Sequence, residues 1–284
     1  MEIFKQNSNL NNFKSWFDRI SAELLNEISF SIAGEDHPIT EIEFYYHDRL
    51  HPDPFTHRDP LQLTTEKWYF HRIGKSYRGG TFKGLDITFG DNNSFGGILI
   101  RSIETPQGDI IDGSCLCVDY ILEKTGFAKV AELDKVSSSY NIWNNNSPIF
   151  LERKNIENRS IFTCARVGLS LKKAKQEDKN TQSMTEYLVF PYRYLNRPRK
   201  IRKGKVYLVL GLYLQRKSSQ EIHQITGSPK KSIENYIQEF EKGYREGKKS
   251  DYFGISLKNT HICQLHGIYK RNSIEKYNKA SSYY

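Results

Sequence analysis

An alternating stretch in Thr40–His57, read TEIEFYYHDRLHPDPFTH, constrains the fold of this chain more than any other segment. Side chains two positions apart on a β-strand share a face, so Glu41, Glu43 and Tyr45 point one way and the intervening residues the other. A carboxylate beside an aromatic ring, on a face that lines a pocket, suits a general base, because burial raises its pKa. The alternative is an edge strand whose charged face meets water.

Charge and composition favour a polyanionic partner. The 284 residues carry a formal net charge of +9, and 37% hydrophobic residues suffice for a packed core. A basic balance favours nucleic acid first and an anionic membrane surface second. No apolar run approaches the roughly 18 residues of a membrane span. The N-terminus lacks a signal-peptide pattern, so we expect an intracellular protein in a DNA-containing compartment, the nucleus in a eukaryote.

The four cysteines fit neither a zinc ribbon nor a disulfide framework. We expect reduced, mostly buried thiols, and neither a metal nor a cofactor. His47, His51 and His57 lie close together in sequence, and an H-x-x-x-H metal loop is the alternative for them.

Periodicity and turn residues predict the elements of a first domain over residues 1–197. They are a helix in residues 13–27, strands at Ile28–Ala33, Ile39–Tyr46, Trp68–Ile73, Leu85–Phe89, Gly97–Ile103, Phe162–Leu171 and Tyr187–Arg193, a helix ending in Asp119–Thr125 and a polar loop in Lys172–Ser183.

Residues 198–250 predict a basic linker followed by three helices. The helices are Val206–Leu214, Gln220–Thr226 capped by Ser218 or Ser219, and a third that runs from Ser228 and Pro229 towards Phe240. This spacing is typical of a helix-turn-helix unit, with Lys230, Lys231 and Asn235 at the start of the recognition helix. The alternative is a helical hairpin that packs on the main domain. The basic tail at residues 251–284 has no assignment.

Six short motifs over residues 13–195, in one order, resemble the alkyladenine (3-methyladenine) DNA glycosylases of the mammalian-type fold. They are AELLNEISFSI with ITEIEFYYH, DPFTH, GLDITFG with GGILIRSIE, DGSCLCVDYI, SPIFLERK and CARVGLSL. The resemblance implies an α+β fold with a mixed, mostly antiparallel curved sheet and flanking helices. To this the chain adds a small C-terminal all-α, helix-turn-helix-like module.

The resemblance also implies roles for individual residues. Glu43 is the general base that activates a water, and Arg101 places that water and the flipped nucleotide. Tyr45 and His57 belong to the base pocket. A second stacking ring is expected from Trp68–Ile73, with Phe70 as the first choice and Tyr69 as the next.

Asp86 departs from the family pattern, which has asparagine there. An ionised Asp only accepts hydrogen bonds, so we expect altered base selection or lost catalysis, and competition between like charges if Asp86 lies near Glu43. A Gly-rich basic loop is a candidate for backbone contacts to phosphate, or else a solvated hairpin. Its candidate DNA-binding residues are Lys75, Arg78 and Lys83, with Tyr77 as the wedge that fills the vacated stack.

Two functions stay open at this point. One is a DNA glycosylase that flips a modified purine out of double-stranded DNA and hydrolyses its N-glycosidic bond. The other is a catalytically inactive glycosylase-like subunit that docks a larger DNA-processing complex on DNA, together with partner proteins.

Overall fold

The computed structural model describes residues 3–5, 12–154, 156–175 and 179–281, with backbone alone for 179–182 and 275–281. The chain forms two compact units. Unit 1 comprises Met1–Phe162 and Tyr192–Lys203, and unit 2 comprises Thr163–Pro191 and Gly204–Tyr284. Residues 163–191, assigned to the first domain on sequence, therefore belong to unit 2. Residues 1–2, 6–11, 155, 176–178 of the polar loop and 282–284 of the tail lie outside the described residues.

Unit 1 combines helices with a large sheet. Its elements are α1 (Phe13–Asn26), β1 (Ile28–Ile32), β2 (Glu35–His47), β3 (Thr65–Phe70), β4 (Arg72–Ile73), β5 (Ser76–Tyr77), β6 (Leu85–Phe89), β7 (Phe95–Glu104), β8 (Ile110–Asp112), α2 (Ser114–Thr125), α3 (Val130–Ser137) and β9 (Ile149–Arg153). Short 3-10 helices lie at Pro60–Leu63 and Gly80–Phe82. Next, β10 (Phe162–Cys164) crosses from unit 1 into unit 2, and β11 (Arg193–Leu195) returns to unit 1 after a helix of unit 2.

The sheet of unit 1 has the strand order β11-β2-β7-β6-β3 along its main path. These neighbours are antiparallel, and so are β1 with β2 and β9, and β8 with β7. Antiparallel sheets of this kind can bury one face under a helix while the other carries polar groups. The α+β class and the mostly antiparallel sheet are confirmed.

Helix α1 covers the apolar face of the sheet. Its side chains recur at helical spacing, and Asn12 caps it by accepting the backbone N–H of Lys14 at 2.9 Å. Phe17 stacks on Phe44 of β2 with ring centroids 4.5 Å apart, and both are fully buried. Burial of one such ring stabilises the fold by about 1.5–3 kcal/mol. The face of β2 that carries Phe44 is thus the core, which leaves Glu41 and Glu43 on the other.

Unit 2 is helical in its described residues apart from β10. It contains α4 (Lys179–Val189), α5 (Lys205–Leu214), α6 (Ser219–Thr226), α7 (Lys230–Glu246), a 3-10 helix at Lys249–Tyr252, and α8 (Asn259–Ser281). Helices α7 and α8 approach closely, because a Cβ on Gly243 would lie 2.2 Å from the carbonyl of Gln264. Among the described residues, no helix combines the length and apolar character needed to cross a membrane.

Three predicted elements differ from the structure. Residues 187–189 of the predicted strand Tyr187–Arg193 end α4 instead, and the short strand β11 begins at Arg193. The strand predicted over Phe162–Leu171 is only the three residues of β10. Helix α7 is preceded by Pro229 as its N-cap and continues past Phe240 to Glu246. A short apolar run such as YLVF fits either a helix end or a strand, so periodicity alone could not decide the first case.

Candidate functional site

Strand β2 presents Glu43 and Tyr45 on its polar face. The hydroxyl of Tyr45 donates to Oε2 of Glu43 at 2.8 Å, so the two side chains do share that face. Glu43 is fully buried, whereas Tyr45 is half-buried. The alternative of an edge strand is wrong, because β2 lies between β11 and β7.

A β-bulge brings Arg101 to both carboxylates. Arg101 is an extra residue on β7, because its neighbours Ile100 and Ser102 face consecutive residues of β2. Bulges bend a strand and redirect a side chain. Nε of Arg101 lies 2.8 Å from Oε1 of Glu41 and 3.4 Å from Oε1 of Glu43. The structure therefore places the two predicted catalytic residues side by side.

Arg193 completes a carboxylate–guanidinium cluster with Glu41, Glu43 and Arg101. It lies opposite Glu43 on β11, and its Nε donates to Oε1 of Glu41 at 2.7 Å. A second guanidinium nitrogen donates to the carbonyl of Lys203 at 3.2 Å. Formal charges in the cluster balance, which is how a protein holds ionised groups in its interior.

The cluster keeps Glu41 and Arg101 charged. Burial alone would raise the pKa of Glu41, but Arg193 and Arg101 outweigh it and hold this pKa below the ordinary value. Burial likewise works to lower the pKa of Arg101, while Glu43 and Glu41 raise it above the usual value. Arg101 is thus available as a fixed positive charge beside Glu43.

Tyr69, rather than Phe70, lies beside His57. The hydroxyl of Tyr69 is 3.2 Å from Nδ1 of His57, and the two rings meet edge to face at 6.0 Å. Phe70 is the next residue of β3 and therefore points to the opposite face of the sheet, where it is buried. Of the two candidates for the stacking ring, Tyr69 therefore shares the sheet face of Glu43, whereas Phe70 faces away from it, and both rings are buried.

His57 meets a second histidine that sequence reasoning did not assign. The rings of His57 and His71 are 4.5 Å apart and nearly perpendicular. The pKa of His57 is lowered to about 4, mainly by partial burial of its ring and also by the nearby charge of His71. The rest of the His57 side chain is exposed. His57 is therefore neutral at pH 7. Nε2 of His71 in turn contacts Oδ1 of Asp86 at 2.7 Å.

Asp86 and Glu43 lie on the same face of the sheet, on the strands either side of β7. Leu99 of β7 lies opposite both residues, with Glu43 on one neighbouring strand and Asp86 on the other. Two strand spacings separate their backbones by about 10 Å. The partner that the structure gives Asp86 is His71, and the competition expected between the two carboxylates stays a prediction.

The loop after β3 forms a small hairpin of β4 and β5, with Gly74 and Lys75 at its turn. Ile73, next to the turn, is 70% exposed, while Tyr77 is half-buried with its hydroxyl donating to Oδ2 of Asp134 at 2.6 Å. Burial and then that hydrogen bond raise the pKa of Tyr77 to about 12. Tyr77 is thus anchored to α3, and it would have to leave Asp134 to act as the predicted wedge.

The three basic residues of this loop differ in exposure. Lys75 is exposed at the turn, Arg78 is half-buried, and Lys83 is half-buried against Asp119 in a salt bridge. Lys75 is therefore the best placed of them for contact with a partner.

In unit 2, helices α5, α6 and α7 follow each other through short turns. Ser218 caps α6 and exchanges hydrogen bonds with Glu221, and Gly227 ends it in the left-handed conformation. Lys230, Lys231 and Asn235 are all exposed at the start of α7. The three predicted contact residues therefore lie within two turns of one helix end.

The clustered histidines of β2 and the following loop serve local structure. His51 contacts the carbonyl of Tyr46 and the hydroxyl of Tyr192, and His47 contacts the carbonyl of Asp53. Within the described ranges, no group of three or more His, Cys, Asp or Glu side chains is arranged to hold a metal ion. All four cysteines are free thiols, and three of them are buried.

Sequence reasoning missed His71 and Arg193. His71 follows Tyr69 by two positions, a spacing that indicates a shared face and was available as a signal. Arg193 belongs to the three-residue strand β11, which is distant in sequence from β2. No local sequence pattern indicates that β11 pairs with β2.

One curated relative gives the chain its family. An uncharacterized protein of Acanthamoeba polyphaga mimivirus is 33% identical over 211 aligned residues, which cover 69% of this chain and 92% of the mimivirus protein. No protein-family profile matches the chain.

Proposed function

We propose a function for unit 1 of this chain, which belongs to the same protein family as the mimivirus protein. Unit 1 binds a modified purine nucleotide turned out of duplex DNA and hydrolyses its N-glycosidic bond. The observation that carries the proposal is a fully buried carboxylate, Glu43, held between Tyr45 and Arg101 on a sheet face that also carries Tyr69. The order of glycosylase-like motifs agrees with it.

The cluster suits glycosidic cleavage. The reaction passes through an oxocarbenium-like state, which a nearby carboxylate stabilises electrostatically. Glu43 accepts a proton from the attacking water as the base departs. Arg101 holds the carboxylate in place, because its positive charge lies 3.4 Å away. Arg193 and Glu41 fix Arg101 in turn.

Flat rings on the same face suit a purine. Tyr45 and Tyr69 come from different strands, and His57 is neutral at pH 7 because its pKa is lowered to about 4. A pocket of neutral rings holds a flat base with few hydrogen bonds, and electron-rich π-faces favour alkylated purines, which are positively charged.

Ile73 is exposed and apolar, which suits a residue that fills the stack left by the flipped base. It is 70% exposed at the end of β4, two residues before Lys75 of the hairpin turn. Apolar wedges of this size between base steps stabilise a kinked duplex, and a neighbouring lysine neutralises phosphate. Substitution of Ile73 by Ala should weaken binding to a lesion duplex more than to an intact one.

In this proposal, helices α6 and α7 of unit 2 form a helix-turn-helix that contacts DNA. The start of α7 would enter the major groove with Lys230, Lys231 and Asn235. The net charge of +9 supports a polyanionic partner.

Binding without cleavage is the second candidate, and one observation favours it. Glu43 has no exposed surface, and its oxygens already contact Tyr45 and Arg101. A carboxylate held in that way also fits a purely structural role in a DNA-docking protein.

The decisive experiment compares duplexes that carry one modified purine, treated with protein and then with hot alkali. Alkali-labile breaks that disappear in Glu43→Gln, but persist in the exposed control Glu152→Gln, support the glycosylase. Thermal unfolding of Glu43→Gln must show a folded protein at the assay temperature. Salt-sensitive binding with no breaks in the unsubstituted protein refutes the hydrolytic proposal and supports the second candidate.

A further inference from the structure

A groove of about 580 Å³ lies on unit 2, between the end of α5, the start of α6, the second half of α7 and part of α8. Pockets of about 300–1,000 Å³ hold a small ligand or the anchoring side chains of a partner. Every residue that lines this groove belongs to unit 2, whereas the residues proposed for hydrolysis belong to unit 1. The proposed glycosylase activity therefore does not account for the groove.

Apolar side chains from three helices line the groove. Phe240 of α7 is buried, with its ring edge to face against that of Tyr213 of α5 at 5.3 Å. Leu214, at the end of α5, is 40% exposed, and Ile274 of α8 is 37% exposed. Exposed apolar side chains that gather around a concavity, rather than being scattered singly, mark sites of interaction. The groove therefore offers apolar surface to a partner.

Two cations beside this surface have no ion-pair partner among the described side chains. Arg216 and Lys270 both line the groove and are exposed. Lys217 differs from them, because it pairs with Glu221 at 3.0 Å. The groove thus combines apolar contact area with two positive charges that are available to a ligand.

Arg216 occupies a position that helices commonly give to glycine. Its N–H donates to the carbonyl of Tyr213 at 2.9 Å, and the N–H of Lys217 donates to that of Leu212 at 3.1 Å, so α5 ends in a Schellman motif. The φ of Arg216 is +64°, in the left-handed region, which costs free energy for a residue with a Cβ. Arg216→Gly therefore removes the charge without a backbone penalty, which makes it a clean variant.

Two carboxylates make the groove unsuitable for nucleic acid. Glu221 of α6 and Glu241 of α7 both line it, and Glu241 accepts a hydrogen bond from the hydroxyl of Tyr213 at 2.7 Å. Carboxylates repel a phosphate backbone, and phosphates gain nothing from apolar surface. Apolar surface with unpaired cations is instead complementary to a segment that carries apolar and acidic side chains.

The groove is remote from the proposed DNA contact along α7. Phe240 follows Lys230 by ten positions, which corresponds to about 15 Å along the helix axis. A segment bound in the groove therefore leaves the start of α7 open to DNA.

We propose that this groove binds an acidic, amphipathic segment of a partner protein. Apolar side chains of the segment pack against Leu214 and Ile274, and its carboxylates pair with Arg216 and Lys270. Amphipathic helices of many partners bind in apolar grooves in this way. The net charge of +9 also attracts an acidic partner. The inference goes beyond the proposed glycosylase and does not depend on it, because no residue of unit 1 takes part.

The test starts from a random peptide display library, selected on immobilised full-length protein. Enriched peptides are synthesised with a fluorescent label, and their affinity is measured by fluorescence anisotropy across a salt series. Arg216→Gly/Lys270→Ala removes the two available charges of the groove. Lys242→Ala/Arg245→Ala is the matched control, because it removes the same charge from exposed positions of α7 that do not line the groove.

A second pair of variants tests the apolar surface. Leu214→Ala/Ile274→Ala shortens the two exposed side chains of the groove and keeps good helix formers in place. Leu50→Ala is its control, because Leu50 is 76% exposed on unit 1. Thermal unfolding confirms that each variant is folded at the temperature of the binding assay.

We expect the enriched peptides to carry apolar residues at helical spacing with Asp or Glu beside them. Their affinity should fall about tenfold or more in Arg216→Gly/Lys270→Ala and in Leu214→Ala/Ile274→Ala. The two controls should lose less than about threefold. High salt should weaken binding to the unsubstituted protein more than binding to Arg216→Gly/Lys270→Ala.

Three results overturn the inference: no peptide binds, the enriched peptides lack acidic residues, or groove and control variants lose affinity equally. A DNA surface is the competing outcome. In that case Arg216→Gly/Lys270→Ala would reduce the salt slope of duplex binding by about two units, and the groove would belong to the DNA contact of unit 2.

Discussion

At the scale of single residues, Arg193 and Arg101 keep the buried carboxylate of Glu41 ionised. Both guanidiniums contact Oε1 of Glu41, and Arg101 also reaches Glu43. Removal of one partner from such a cluster leaves an uncompensated buried charge, which costs far more than the cluster contributes when intact.

Arg193→Met should therefore lower the free energy of unfolding by about 3–5 kcal/mol, measured by denaturant titration. Arg153 offers a matched control, because it pairs with Glu23 and Glu27 at the surface with 42% of its side chain exposed. Arg153→Met should cost less than about 1 kcal/mol. The double variant Glu41→Gln/Arg193→Met should lose less than Arg193→Met alone. Equal losses in the Arg193 and Arg153 variants would contradict the interpretation.

Acid stability follows from the lowered pKa of Glu41. The folded-state pKa lies below the ordinary value of 4.5, so the unfolded chain binds the proton first as pH falls. The stabilising contribution of Glu41 is therefore complete above about pH 4.5 and is lost as pH falls through the folded-state pKa. We expect Glu41→Gln to flatten the dependence of unfolding free energy on pH between about pH 5 and pH 3, measured by urea titration at each pH. A slope as steep as in the unsubstituted protein would exclude Glu41 as its source.

At the scale of elements, the alternation of β2 was sufficient to predict which residues share a face with Glu43. The choice between Tyr69 and Phe70 was not predictable in the same way. Strand β3 has an extra residue between Thr65 and Trp68, and Glu66 there has a φ of +59°. A bulge reverses which side chains face the core, and no sequence pattern fixes its position.

The crossing of α7 and α8 gives a prediction about an element. Gly243→Ala would place a methyl group 2.2 Å from the backbone oxygen of Gln264, which cannot move as a flexible side chain does. The helices must separate, so we expect a loss of about 1–3 kcal/mol of unfolding free energy, despite the better helix propensity of Ala. Gln238→Ala, on the exposed side of α7, should change stability by less than about 0.5 kcal/mol. Stabilisation by Gly243→Ala would show that the close crossing does not exist in solution.

At the scale of the whole molecule, the strongly basic composition pointed to a polyanionic partner, but the division into units was only partly readable. The basic run near residue 198 marks a change of composition and lies close to the end of unit 1 at Lys203. Residues 163–191 join unit 2 through contacts distant in sequence, such as the approach of Gly211 to the carbonyl of Thr163. Such contacts leave no local signal.

The proposed DNA contact of unit 2 makes a quantitative prediction for the full chain. Each lysine that neutralises a phosphate steepens the plot of log affinity against log salt by about one unit. Lys230→Ala/Lys231→Ala should therefore weaken binding to a duplex and reduce the magnitude of the slope by about two units. Fluorescence anisotropy across a salt series measures both quantities.

Lys242 and Arg245 provide the matched control, because both are exposed near the other end of α7. Lys242→Ala/Arg245→Ala removes the same charge from the same helix, so an effect of net charge alone would change the two slopes equally. The proposed recognition helix contacts DNA with its N-terminal residues, and it therefore requires a larger change in the Lys230/Lys231 variant. Equal changes would place unit 2 outside the groove and leave its charge to act only through long-range attraction.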